Sequence, residues 1–193
     1  MGRPPKVSYL PALIEHESCI SLKHSRCWNA KSRLRSAREE GAGLGQITRA
    51  YRPDGSLRFD ALKEIREKHP VELREFTWTT VYTRPDLQIR AVVLKMQDNY
   101  KYYIKYAASS TEAYAFADAA YNGGIGGLDR ERRACKLASW CDHTKWFGNV
   151  EKLCLKSKAI LYGNRSACDI NRYHVADVLL VRSNKYSRIS YGR

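Results

Sequence analysis

The sequence has no cysteine pair at Cys-x-x-Cys spacing, no apolar run long enough to cross a bilayer, and no internal repeat. The first absence argues against a zinc ribbon or a thioredoxin-type redox centre, the second against a membrane-spanning helix, and the third against a solenoid or propeller. Low-complexity linkers are missing too, so the 193 residues, 44% of them hydrophobic, are expected to form a single domain around one sizeable core. Acidic residues are scarce: 20 Asp and Glu stand against 34 Lys and Arg, a net charge of +14. The basic start Met1-Gly2-Arg3-Pro4-Pro5-Lys6 is not followed by an apolar segment of the kind a secretory signal needs, so synthesis in a cytoplasm without export is expected.

Such a charge calls for an anionic partner, either a nucleic acid or an envelope polymer. The run Tyr100-Lys101-Tyr102-Tyr103-Ile104-Lys105-Tyr106 interleaves aromatics with lysines, as a stacking platform for nucleic acid would. Apolar spacing through Ile89, Val92, Val93, Met96, Tyr100, Tyr103 and Ile104 instead puts some of these tyrosines on the core face of a long helix, and nucleic acid is not the expected partner. Helical patterns occupy about 8–20, 60–68, 87–106, 110–122, 130–140 and 172–181. Thr77-Trp78-Thr79-Thr80-Val81-Tyr82 has strand-like composition but is expected to lie near a helical connection.

Three short segments carry chemistry. In the first helix, Leu10, Leu13 and Ile14 recur at helical spacing; at 100° per residue Glu17 falls about 20° from Leu10, and Glu15 about 140° away. Glu17 is therefore expected on the apolar stripe, with a raised pKa suited to a general acid, and Glu15 in solvent. The second segment, Gly41-Ala42-Gly43-Leu44-Gly45-Gln46-Ile47-Thr48, sets three glycines on alternate positions, which suits a turn over which other groups pass closely. There Gln46 offers a donor and an acceptor for a sugar substituent. The third is a helix end: Ser109 and Glu112 read as a capping box, Gly123-Gly124 as the stop, and Tyr121 and Asn122 fall in the last turn. Tyr121 can pack on a sugar face or fill the core, and Asn122 can contact substrate or hold the helix end.

In this order, Glu17-Ser18, Gly43-Leu44-Gly45-Gln46 and Ala120-Tyr121-Asn122-Gly123-Gly124 resemble the catalytic domain of the lysozyme-like lytic transglycosylases. In that family a Glu-Ser pair on a helix is followed by Gly-Leu-Met-Gln on a substrate-binding hairpin and by Ala-Tyr-Asn-Ala-Gly. The resemblance covers about residues 7–128 and implies a predominantly helical α+β, lysozyme-like fold with a small β-hairpin beside the active-site cleft. It implies that Glu17 acts as acid and then base on the β-1,4 bond between N-acetylmuramic acid and N-acetylglucosamine. Ser18 would support that acid, Gln46 and Tyr121 would contact the substrate near the scissile bond, and Asn122, grouped with them at the substrate site, would hold the helix end. No cofactor or metal is implied, because the muramic 6-hydroxyl closes a 1,6-anhydro ring. Together with the charge and the missing export signal, the match is to a bacteriophage endolysin type, expected as a monomer. Such a protein would be released to the periplasmic wall by a holin or carried in the virion, with peptidoglycan and anionic lipopolysaccharide as partners.

Two departures from the family stand out. This chain has 28 residues between Glu17 and Gln46, more than the family's spacing, and Gly45 replaces the family's methionine. A hydrolytic muramidase would need a second carboxylate, for which Asp54 and Asp60 are nearest in sequence; Asp60 reads better as a helix N-cap and Asp54 as a turn residue. A non-catalytic wall-binding or nucleic-acid-binding basic protein remains the reading from a different class. The six cysteines are expected reduced and partly buried, with Cys19 and Cys27 the pair that flanks the insertion. Cys135-x5-Cys141-x-His143 is a weaker metal-binding possibility. Residues 129–193, with Trp140, Trp146, Phe147 and Tyr162, either pack on the domain or form a small wall-docking lobe, closed by an amphipathic helix from His174 to Val181.

Overall fold

The computed structural model describes residues 8–187, with Tyr162 described by its backbone alone; the basic start at residues 1–6 lies outside the described residues. The fold is α+β, rich in helix, with small antiparallel sheets. The chain divides into two compact units, one of Leu10–Lys95 and one of Met1–Tyr9 with Met96–Arg193.

In the first unit, helix α1 (Tyr9–Ser18) leads through the long loop 19–32 into four strands. These are β1 (Arg33–Arg35), β2 (Glu39–Ala42), β3 (Ile47–Tyr51) and β4 (Leu57–Asp60), paired antiparallel in chain order. The expected hairpin is thus the centre of a four-stranded meander. The sheet buries Ala42 and Ile47 against Leu62 and Ile65 of α2 (Ala61–Lys68), with Leu73, Phe76, Val81, Leu87 and Ala91 completing the core. Asp60 caps α2 as expected, its carboxylate accepting from the Lys63 amide at 2.9 Å. Residues 77–82 form successive turns held by the Thr77 and Thr80 side chains, not a strand. Helix α3 (Pro85–Tyr103) begins in this unit and ends in the other.

The second unit is built on α4 (Ser110–Gly123), α5 (Ile125–Leu137) and α6 (Ala167–Ala176), which continues through a wider turn at Asp177–Arg182. A two-stranded sheet pairs β5 (Ile160–Tyr162) with β6 (Arg165–Ser166). Ser109 caps α4, but Glu112 does not return the bond expected of a capping box. Its carboxylate instead accepts from the backbone amides of Trp146, at 2.6 Å, and Phe147, at 3.3 Å. Gly124, at φ 80°, ends the helix by donating to the Ala120 carbonyl. The core gathers Tyr103, Phe116, Leu128, Trp146, Val150 and Val175. Trp146 and Phe147 therefore belong to packing, whereas Trp140 is 56% exposed. Tyr103 is fully buried, Tyr100 stacks on Tyr114 at 4.4 Å, and the Tyr102 and Tyr103 hydroxyls both donate to Asp129.

The expectation of reduced cysteines is corrected by three disulfides, Cys19–Cys27, Cys135–Cys141 and Cys154–Cys168. Each closes a loop of fewer than twenty residues, and the second removes both thiols from the Cys135, Cys141, His143 grouping. Sequence spacing suggested only the first of these pairs, because a disulfide depends on which loop ends the fold brings within reach.

Candidate active site

Glu17 and Ser18 close α1. Here one expectation is overturned: Glu15, expected in solvent, is 4% exposed, while Glu17 is only partly buried. The reason is that Ala12, Leu13, Ile14 and Glu15 are all buried in succession, so the helix is covered on more than one side. Angular position relative to a single stripe does not separate inside from outside on such a helix. Lys95 on α3 lies within electrostatic reach of Glu17: burial lowers the Lys95 pKa, and the Glu17 charge is the foremost influence opposing that shift. Ser18 is buried; its hydroxyl donates to the Ile14 carbonyl at 2.7 Å and accepts from the Trp28 amide at 3.2 Å. It thereby fastens the returning loop to the helix end that carries Glu17.

Gly43-Leu44-Gly45-Gln46 is the whole turn between β2 and β3, whose last pair is Ala42 with Ile47. One glycine of the turn and one on the strand before it have specific causes. Gly43 sits at φ 69°, and a Cβ there would lie 2.3 Å from the Gln88 side chain; at Gly41 a Cβ would lie 2.6 Å from Gln46 Oε1. Gln88, buried on α3, is the clamp: its carbonyl oxygen accepts from the Leu44 amide, and its amide nitrogen donates to the carbonyls of Ala30 and Val81. Gln46 itself is held at φ 42°, in the left-handed region, with Nε2 donating to the Gly43 carbonyl at 2.8 Å. Ser32 adds a second tie, its carbonyl accepting from the Gly43 amide at 2.8 Å and its hydroxyl lying 3.5 Å from Gln46 Nε2. The loop 19–32 is therefore fixed at Ser18 on one side and at the Gln46 turn on the other, and it connects the acid to the glutamine within one unit.

Beneath the turn lies a carboxylate that local sequence did not mark. Glu40 on β2 is 2% exposed and accepts from Arg33 at 2.7 Å, Arg49 at 2.7 Å and the Tyr82 hydroxyl at 2.9 Å. Burial pushes its pKa up, but the bonds from Arg49, Tyr82 and Arg33 outweigh this and hold it below the ordinary carboxylate value. Tyr82 is raised to about 12 by burial and by the same carboxylate. Arg49 lies 4.3 Å over the Trp78 ring, and Trp78 Nε1 donates to Asp60 at 2.8 Å. Asp60 thus spends both oxygens on structure. Asp54 accepts from the Ser56 amide and hydroxyl in an exposed turn.

Tyr121 and Asn122 belong to the second unit, at the end of α4. The Tyr121 ring is 8% exposed and stacks on His174 at 6.3 Å. His174, buried on α6, shares a 2.7 Å hydrogen bond with Asp118, whose other oxygen accepts from the Tyr9 hydroxyl at 2.5 Å. Asn122 accepts from Asn171 at 3.0 Å, and Asn171 also donates to the Ala119 carbonyl, so this pair secures the helix end. Sequence reading missed Gln88, Glu40, Asp118 and His174; each is an isolated polar residue whose partners lie on another element. No family model, curated protein or solved structure matches this chain.

Proposed function

We propose that the protein cleaves peptidoglycan glycan strands as a lytic transglycosylase, with Glu17 as the single acid and base. The observation that carries the proposal is the order and setting of three motifs: Glu17-Ser18 at a helix end, Gly43-Leu44-Gly45-Gln46 as a whole hairpin turn, and Tyr121-Asn122 at a second helix end. The resemblance calls for a helix, a hairpin and a helix in that order. A partly buried carboxyl in this role donates a proton to the glycosidic oxygen and then takes one from the muramic 6-hydroxyl, which attacks the anomeric carbon. The glycosidic bond breaks, the anhydro ring closes, and no water is consumed.

The occupation of Asp60 by Lys63 and Trp78, and the turn role of Asp54, favour this route over hydrolysis, which needs a second free carboxylate. Three disulfides suit action in an oxidising periplasm, as expected of an endolysin acting on the wall after release. The net charge of +14 favours accumulation on an anionic envelope.

Mass spectrometry of muropeptides released from purified peptidoglycan by the wild type and by Glu17→Gln tests the proposal. Products one water lighter, with anhydro-muramic ends and absent for the variant, are expected. Reducing ends would assign a muramidase, and release undiminished in Glu17→Gln would remove the site.

A further inference from the structure

Between Ser18 and Glu39 the chain carries Lys23, Arg26, Lys31, Arg33, Arg35 and Arg38 and no acidic residue. All six cations are exposed. The same stretch turns large apolar side chains outward: Ile20 is 74% exposed, Leu22 61% and Trp28 44%. Single exposed apolar residues need no explanation, but two exposed aliphatic side chains two positions apart and an exposed tryptophan next to the loop-closing cysteine, in a stretch whose only charged residues besides His24 are Lys and Arg, make this loop amphipathic.

This surface is held in shape. The Cys19–Cys27 disulfide closes it, and backbone bonds from His24 to Ser21, Cys27 to His24 and Asn29 to Arg26 fold it into tight turns. Trp28, at φ 56°, is anchored by its amide to Ser18. The chain is fastened again at Ala30 and Ser32. Ile20 and Leu22 thus project from a short closed loop pinned at both ends, so presenting them costs little further ordering when a partner binds.

We infer that the loop 19–35 docks the protein on an anionic lipid leaflet, with Ile20, Leu22 and Trp28 entering below the headgroups and Lys23, Arg26 and Lys31 pairing with lipid phosphates. Nucleic acid or a glycan strand would engage the cations and stack on Trp28, but neither offers hydrocarbon to receive two aliphatic side chains. A phosphate-bearing layer over hydrocarbon does. The inference stands apart from wall cleavage, since it does not involve Glu17.

Co-sedimentation of the full chain with vesicles of phosphatidylcholine mixed with phosphatidylglycerol, compared with phosphatidylcholine alone, is the test. The wild type is expected to bind the mixed vesicles and to be released by salt. Ile20→Ser with Leu22→Ser, which leaves the charge unchanged, is expected to weaken partitioning about tenfold, and Lys23→Glu with Arg26→Glu by at least as much. Quenching of tryptophan fluorescence by brominated lipid is expected in the wild type and lost in Trp28→Phe. Both exposed-residue pairs should keep the wild-type circular dichroism spectrum, and the serine pair should release muropeptides from purified peptidoglycan as the wild type does. That comparison separates failure of this inference from failure of the wall-cutting proposal. Equal binding to pure phosphatidylcholine, undiminished partitioning of the serine pair, or quenching that persists in Trp28→Phe would each overturn the inference.

Discussion

Each unit of the molecule buries a carboxylate held by cations, Glu40 in one and Glu131 in the other, and the two differ in where the cations reach. In the helical unit, Glu131 is fully buried and accepts from Arg172 at 2.8 Å and from the Leu155 amide, with Lys156 at 3.9 Å. The side chains of Arg172 and Lys156 are themselves only 16% and 14% exposed. Arg172 also donates to the carbonyls of Val150, Glu151 and Leu153, binding the 150–156 segment to α6. In the sheet unit, Glu40 is equally hidden, yet Arg33 and Arg49 are 45% and 29% exposed. A buried carboxylate therefore matters less through its own burial than through what its removal strands: cations that reach water rehydrate, and cations that do not are left uncompensated.

The largest effect should follow in the helical unit. Glu131→Ala leaves Arg172 and Lys156 facing one another without a counter-charge, an expected loss of about 3–5 kcal/mol in urea unfolding. A loss below about 1 kcal/mol would mean that those cations find water after all. Next comes Gly43→Ala in the sheet unit. It combines an unfavourable positive φ with a collision against the clamped Gln88, for about 2–4 kcal/mol. Because that turn carries Gln46, muropeptide release should fall with it, and Gln88→Ala should reproduce the fall.

Glu40→Gln sharpens the contrast, with about 1–2 kcal/mol expected, since two half-exposed arginines can rehydrate. Its pH dependence has a fixed sign. The Glu40 pKa is lower folded than unfolded, so its contribution is complete above the ordinary value of 4.5 and is lost as pH falls through the folded value. The advantage of wild type over Glu40→Gln should shrink in thermal unfolding as pH drops below that of an ordinary carboxyl group. The smallest effect belongs to Asp60→Ala, which removes an N-cap and the Trp78 bond and should cost about 1 kcal/mol.

Legibility in the sequence follows the range of the forces involved. The α2 cap at Asp60, the α4 cap at Ser109 and the stop at Gly123-Gly124 were readable because each is decided within four residues. So was the glycine spacing of the turn, although its cause, the approach of Gln88 and Gln46 to two of the glycines, was not. The burial of Glu15 was hidden because α1 is covered on more than one side, a condition no single stripe reports. Glu40 was hidden because its partners come from β1, β3 and the turns before α3. Among the candidate residues, Ser18 was expected near the acid and is found fastening the loop behind it, a role that depends on Trp28 ten residues away.

By itself the sequence determined that the chain is built on helices and where the first four run, though it set the starts of α5 and α6 about five residues late. It also determined which turns need glycine, the excess of positive charge and the three motifs in their order, all set by neighbours along the chain. Only the tertiary structure decided which glutamates are buried, how six cysteines pair, that the hairpin widens into a four-stranded meander, and that Ile20, Leu22 and Trp28 stand outward among cations. Those outcomes turn on desolvation and on contacts between residues far apart in sequence, whose energies are settled only when the chain has closed on itself.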